Sequence, residues 1–310
     1  MAKTTKIRIG TRGSQLALWQ AREAESRLQA AGLDTELVII NTKGDKLLDR
    51  SLSKIGSKGV FTEELEEGLH QGEIEIAVHS AKDLPSTLAK NLEIIAFMER
   101  EQVHDVVLSL NKDFNFEQPG IVVGTSSTRR KAMLKRMYPS LQLTEARGNL
   151  QTRLEKLHNG HFDAMLLAYA GVHRMDYTEH IVKELPEADF VPAVGQGSVA
   201  IEASTKLSAK VKALITEALN HPQTAECVIA ERAFLRTMEG GCSIPVFGLA
   251  TPAENGISLT GGIISLDGKN LIKETVSGPA ADGEKMGAEL GKKVLNLGGA
   301  EILKEIRQGK

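Results

Sequence analysis

The sequence predicts an α/β protein of two lobes joined by a double hinge, followed by a small α+β domain at the carboxyl end. Three observations predict it. Strand-like and helix-like stretches alternate twice, from Ile7 to Val78 and again from Ile121 to Ala168, which is the rhythm of strand–helix–strand units building a sheet. Two segments, Glu99–Asp105 and Val191–Gly197, connect those halves, so the chain crosses over and returns. Beyond about residue 220 the pattern changes to long strand-like runs around a hairpin turn, then two helical stretches. The implied boundaries are 1–99 with 198–218 for a first domain, 104–192 for a second and 220–310 for a third.

Each element follows from local chemistry. Ile7–Ile9 reads as a strand, Gly10–Ser14 as a loop, and Gln15 to about Ala31 as a helix stopped by Gly32. Thr35–Ile40 reads as a buried strand. Asn41–Gly59, rich in Lys, Gly, Asp and Ser, reads as a mobile loop before a helix over Thr62–Leu69. Ile74, Ile76 and Val78 alternate into a strand ending in His79-Ser80-Ala81-Lys82-Asp83-Leu84-Pro85. Strands separated by helices in this way predict a parallel sheet. In the second lobe, Ile121–Val123 leads through Gly124-Thr125-Ser126-Ser127-Thr128 into a helix carrying Arg129 and Arg130. Leu141–Leu143 and Phe162–Ala168 are strands, with a helix over Leu150–Leu157 between them, and Ser198–Ala203 returns to the first sheet. Val246–Thr251, Ile257–Leu266 and Asn270–Ser277 are strand-like, Asp267-Gly268 forms a hairpin turn, and helices cover about Asp282–Leu297 and Ala300–Gln308.

Composition excludes several classes. The chain has 310 residues, 41% hydrophobic and 25% charged, as an ordinary soluble protein does. The first residues carry no apolar signal core, and no apolar run approaches the ~18 residues of a membrane span, so a cytoplasmic protein without membrane partners is expected. A net charge of −2 gives no general case for nucleic acid, and the chain is expected to be a monomer. No metal-ligand spacing, phosphate-binding glycine loop or nucleophilic serine elbow occurs.

The two cysteines stand in unlike settings. Cys227 shares a helical face with Ala230 and Phe234 and reads as core. Cys242, in Gly240-Gly241-Cys242-Ser243-Ile244-Pro245, stands where glycines allow close approach to the main chain, and reads as an exposed, chemically used sulfur. The hydroxyls of Thr125–Thr128 read first as a helix cap. Arg129 and Arg130 on the same first turn oppose the helix dipole, so with the free amides they predict an anion site. Arg12 and Arg147 stand in other strand-to-helix loops, and such guanidinium groups take carboxylates through two parallel bonds. A cleft lined in this way suits a substrate with several carboxylates. Asp83, at a strand end among cations, reads either as a turn residue or as a carboxylate acting as acid/base and stabiliser of positive charge. His79 reads as a packing or hydrogen-bonding residue, and Gly195-Gln196-Gly197 fits a hinge. Lys43-Gly44-Asp45 and Lys54–Gly59 form a glycine-interrupted basic connection.

Several of these blocks together resemble the porphobilinogen deaminase family, also called hydroxymethylbilane synthases. They are Thr11–Gln20, Lys43-Gly44-Asp45, Lys58-Gly59-Val60-Phe61, His79–Pro85, Gly124–Arg130, Arg147-Gly148-Asn149, Pro192–Gly197 and Gly241-Cys242, in order along the chain. The resemblance implies three domains, the first two like type II periplasmic binding proteins. It implies a transferase that joins four porphobilinogen molecules head to tail, with loss of ammonia, onto a dipyrromethane cofactor, and then releases hydroxymethylbilane by hydrolysis. The cofactor would be linked by a thioether to Cys242. Asp83 would be the catalytic aspartate that stabilises the cation formed by deamination. Cofactor contacts would fall to Ser80, Lys82, Asp83, Thr125, Ser127, Arg129, Arg130, Arg147 and Gly148. Substrate contacts would fall to Arg12, Ser14, Gln20, Lys58, Phe61, Arg147, Arg153, Arg174 and Gln196. Ala81, Thr128, Ser57 and the stretch after Cys242 depart from the family's common pattern, and none removes a charged or reactive group. The two lobes alone would also fit a solute-binding or sensor protein, against which Cys242 in a third domain argues.

Overall fold

A computed structural model describes residues 6–46, 62–241 and 244–309. The predicted roles of Ser57, Lys58, Phe61 and Cys242 lie outside the described residues.

The first stretch runs β1 (Ile7–Thr11), α1 (Gln15–Ala30), β2 (Thr35–Ile39), α2 (Lys43–Lys46), α3 (Glu63–Gln71), β3 (Ile76–Ser80) and β4 (Leu92–Phe97). Ser14 starts α1 by accepting the Ala17 amide on its hydroxyl, and Gly32, at φ 80°, follows its end. The second stretch runs β5 (Asp105–Ser109), β6 (Val122–Gly124), α4 (Thr128–Met137), β7 (Gln142–Thr144), α5 (Leu150–His158), β8 (Ala164–Ala168), α6 (Tyr169–Arg174) and β9 (Ile181–Leu185). Then come β10 (Val199–Ser204), α7 (Ala209–Leu219), α8 (Pro222–Thr237), β11 (Val246–Ala253), β12 (Gly256–Ile264), β13 (Leu271–Gly278), α9 (Gly283–Val294) and α10 (Ala300–Arg307).

The strands form three sheets, ordered β2-β1-β3-β10-β4, β7-β6-β8-β5-β9 and β11-β12-β13. The first two share one plan. In each, four of the five strands run in one direction and the fourth in order is antiparallel to both its neighbours. This corrects the expectation of parallel sheets. A parallel neighbour needs a crossover that carries the chain back to its starting edge. The chain enters β5 and β10 from a strand of the other sheet, and both run opposite to their neighbours. A second correction concerns Thr35–Ile40: β2 pairs only with β1, its residues are at most half-buried, and Ile39 is 56% exposed. The strands β4, β5 and β9 have no counterpart in the sequence reading. Within the expected loop Asn41–Gly59, residues 43–46 form a helical turn.

The chain divides into two compact units, one comprising residues 6–46, 62–101 and 197–225, the other 102–196 and the described part of 226–309. In the first unit, Ile7, Ile9, Ile76, Val78 and Ile201 pack against Ala21, Ala24 and Leu28 of α1 and Ile215 of α7. In the second, one apolar cluster joins Val107, Val123, Leu134 and Leu166 to Phe247, Leu249 and Ile264, so the second and third sheets share a core. The hairpin at Asp267-Gly268 also rests on α4: Arg136 Nη1 donates to the Lys269 carbonyl at 3.0 Å. Cys227 is buried beside Val194, Ala230 and Phe234. Glu231 of α8 is fully buried; its carboxylate accepts the Gly195 amide at 2.7 Å and the Ala250 amide at 2.8 Å.

Candidate active site

The loops that follow parallel strands carry the site residues, and each unit gathers its own set. In the first unit β3 ends at Ser80 and tightens into a turn over Ala81–Asp83. Its start is fixed by β10, whose Val199 pairs with Ser80, and by the Ala81 amide donating to the Ser198 carbonyl at 2.9 Å. Arg12, Ser14, Gln20, Ser80 and Asp83 line one cavity of about 60 Å³, together with Thr62 and His79. Gln20, buried on α1, donates Nε2 to Ser80 Oγ at 2.9 Å, which fixes both groups. Asp83 is exposed at this cavity, whereas Lys82 is half-buried. His79 is packed against the fully buried Glu202, with Nε2 3.1 Å from Oε2 but outside hydrogen-bond geometry.

In the second unit the cap reading of Thr125–Thr128 holds. Ser127 Oγ accepts the Arg130 amide at 3.4 Å, and Thr125 Oγ1 accepts the Ser127 amide at 3.3 Å. Arg129 and Arg130 turn inward and are buried, at 4% and 7% exposure. Both converge on Asp105, which is fully buried. Arg129 Nη2 donates to Oδ2 at 2.6 Å, and Arg130 donates to Oδ1 through Nη2 at 2.6 Å and Nε at 3.2 Å. Gln196 Nε2 adds a bond to Oδ1 at 2.9 Å and another to the Val103 carbonyl at 2.7 Å. The antiparallel course of β5 explains the meeting. It sets Asp105, the first residue of β5, beside Ala168, the last of β8, at the edge where the site loops emerge. Burial by itself would raise the Asp105 pKa. The charges of Arg129 and Arg130 and their hydrogen bonds outweigh it and hold the carboxyl well below its usual range. Burial pushes the Arg129 pKa down, and Asp105 opposes that shift.

The loop between β7 and α5 gathers a third set. Arg147 Nη2 donates to Glu145 Oε2 at 2.8 Å, and Lys131 Nζ pairs with the same carboxylate. Gly148, at φ 103°, turns its carbonyl to Arg153 Nε at 2.8 Å. Arg174 ends α6, half-buried. Asp105, Glu145 and Thr62 were missed by the sequence reading. For Asp105 the signal was a carboxylate placed directly before the apolar run Val106-Val107-Leu108.

Two α/β units of one strand plan, each with cations, hydroxyls and a carboxylate at the ends of its parallel strands, define the class: a repeated α/β fold carrying a polar, cation-rich site. Comparison with known proteins refines it. Residues 7–212 match the family described as porphobilinogen deaminase, dipyromethane cofactor binding domain, and residues 225–296 match its C-terminal domain. The porphobilinogen deaminase of Cytophaga hutchinsonii is 53% identical over 98% of this chain and 97% of its own, and that of Desulfosudis oleivorans is 48% identical over 98% of both. The chain belongs to the porphobilinogen deaminase family. Among solved structures, the Bordetella pertussis BvgS VFT2 domain aligns with 74% of this chain and 92% of its own at 15% identity and a TM-score of 0.45.

Proposed function

We propose that the chain is a hydroxymethylbilane-forming transferase that condenses four porphobilinogen molecules in turn, releases ammonia at each step, and frees the product by hydrolysis. The observation that carries this reading is the match to both family domains, with relatives identical at about half of all positions over nearly the whole chain.

The family's cofactor is an acid-bearing dipyrromethane, and the residues of the second unit suit such a group. Two guanidiniums share one carboxylate, and Arg129 Nε is buried with no acceptor among the described residues. In this reading Cys242 holds the group through a thioether, with Arg129, Arg130 and Thr125 around its acid side chains. When bound, it supplies the pyrrole carbon onto which substrate units are joined. Asp83 stabilises the positive charge that develops on the substrate pyrrole as ammonia departs, and Ser80 and Gln20 fix the wall beside it. Arg12, Arg147, Arg153 and Arg174 take the acetate and propionate groups of incoming units, charge-assisted contacts worth about 1.5–3 kcal/mol each. The three sheets support a division into domains 1–99 with 198–218, 104–192 and 220–310. A cytoplasmic monomer without nucleic-acid partners completes the reading.

Intact-mass spectrometry tests it. Purified protein should carry the mass of two pyrrole units, and limited porphobilinogen should add covalent steps of one deaminated substrate each, ending at four. Cys242→Ser should fold yet carry no pyrrole, whereas Cys227→Ala should keep it. A reversible, non-covalent single adduct would favour a solute-binding protein instead.

A further inference from the structure

Arg147 has a carboxylate partner from its own loop. Glu145, the first residue after β7, accepts from Arg147 Nη2 on Oε2 at 2.8 Å, and its Oε1 pairs with Lys131 Nζ of α4. The Glu145 side chain is 44% exposed, so water and other anions can compete for its partners. Its place on the backbone is fixed, because β7 pairs with β6 and the Thr144 carbonyl accepts the Thr125 amide at 2.9 Å. Other groups hold the loop of Arg147. Lys156 Nζ donates to the Arg147 carbonyl at 3.1 Å, Arg153 Nε donates to the Gly148 carbonyl at 2.8 Å, and Asn149 Oδ1 accepts the Thr152 amide at 2.9 Å to start α5. The loop therefore keeps its shape without Glu145, whose carboxylate occupies the guanidinium. Partial burial would raise the Glu145 pKa, but its bond to Lys131 and the charges of Lys131 and Arg147 outweigh burial and hold it below its ordinary value. It is an anion at neutral pH. A half-exposed ion pair of this kind shifts an equilibrium by no more than about fivefold, which makes it displaceable.

We propose that Glu145 is a resident counter-ion of Arg147, displaced from it by a substrate carboxylate, and so sets how tightly this part of the site takes acid groups. This rests on the reading that Arg147 holds an acid group of an incoming unit, and it names the residue that opposes that contact. In the exchange the bond from Arg147 Nη2 to Glu145 is given up and one to the substrate carboxylate is made, while Glu145 keeps its pairing with Lys131. Lys131 thereby lowers the cost of displacement, since Glu145 is never left without a cation. A ligand that presents no carboxylate at this point leaves Arg147 paired with Glu145, so the pair screens ligands by charge as well as by shape.

Steady-state kinetics with porphobilinogen tests the exchange. Glu145→Gln removes the competing charge and should lower KM about threefold, with kcat within a factor of about two and the thermal midpoint nearly unchanged. Lys131→Gln combined with Glu145→Gln restores the parent's local charge yet leaves Arg147 without its resident carboxylate, so its KM should also fall below the parent's. A KM equal to the parent's in that double variant would mean that only the local field acts, and displacement is then wrong. An unchanged or raised KM in Glu145→Gln overturns it as well, a rise making Glu145 a support for Arg147 and no competitor. Arg147→Lys keeps the charge but loses the planar fork, and should raise KM severalfold. If Arg147→Lys leaves KM at the parent value, Arg147 holds no substrate acid and the underlying reading falls together with the inference. If it raises KM while Glu145→Gln fails to lower it, Arg147 keeps its role and the displacement alone is wrong.

Discussion

The cavity beside Asp83 and the cluster around Asp105 use the same side chain in opposite ways. Asp83 is exposed on a tight turn and lines a cavity with neutral donors and Arg12. Asp105 is wholly buried and accepts from Arg129, Arg130 and Gln196. A carboxylate wholly buried among cations can shape its neighbours but does not meet a substrate. One left at a cavity wall can. The difference assigns chemistry to the first and support to the second, and it can be broken by experiment.

The largest effect is expected at Asp83. Asp83→Asn should lower turnover by about a thousandfold or more, the size of transition-state electrostatics lost with one charged group, while the urea midpoint stays put because the residue is exposed. Turnover within a factor of about ten of the parent would move the role elsewhere. Asp105→Asn should show the converse, a loss of about 3–5 kcal/mol in stability, because it strips the partner from buried cations. The pH dependence sharpens this. The Asp105 pKa is depressed in the folded protein, so its contribution is complete above the ordinary carboxylate range near pH ~4 and fades as pH falls toward the folded value. Parent urea midpoints should therefore drop on acidification below about pH 4, and those of the asparagine variant should drop less over the same interval.

A smaller effect tests the loop of Arg147. At φ 103°, Gly148 holds a conformation that side chains disfavour, and a methyl there would meet Thr152 at 2.8 Å. Gly148→Ala should cost about 1–3 kcal/mol by thermal unfolding. The smallest change is Ser80→Ala, which takes the 2.9 Å acceptor from Gln20. A loss of about 1 kcal/mol, read as a severalfold rise in KM at unchanged fold, is expected.

Local rules account for what could be read in the sequence. Ser14, Ser127 and Asn149 announce helix starts by residue type, and each hydroxyl or amide oxygen does accept an amide of the first turn. Asp83 is marked by its place at a strand end, and the Arg147-Gly148 turn by its glycine. What escaped depends on partners far along the chain. Asp105 meets Arg129 only because β5 runs antiparallel, and direction is not written into a short apolar run. The same blindness turned the first two sheets parallel in expectation, and made the edge strand β2 look buried. Sequence alone presents the two arginines as an open anion site because their shared counter-ion, Asp105, lies 24 and 25 residues away along the chain.

Glu231 ties together two stretches of backbone that also meet directly, where the Gly248 amide donates to the Pro192 carbonyl at 3.1 Å. Its carboxylate grips the amide of Gly195, in the segment that carries the chain back toward β10, and the amide of Ala250, in the middle of β11. The return segment and the third sheet therefore share a mechanical fate: a displacement imposed on one is passed to the other through that carboxylate, the backbone bond beside it and the packing of Val194 on Val246 and Ala250. Insertions or deletions around Gly195, in a stretch that reads as a tolerant hinge, would be felt in the ladder of a distant strand, so this connection is among the least free to vary in length.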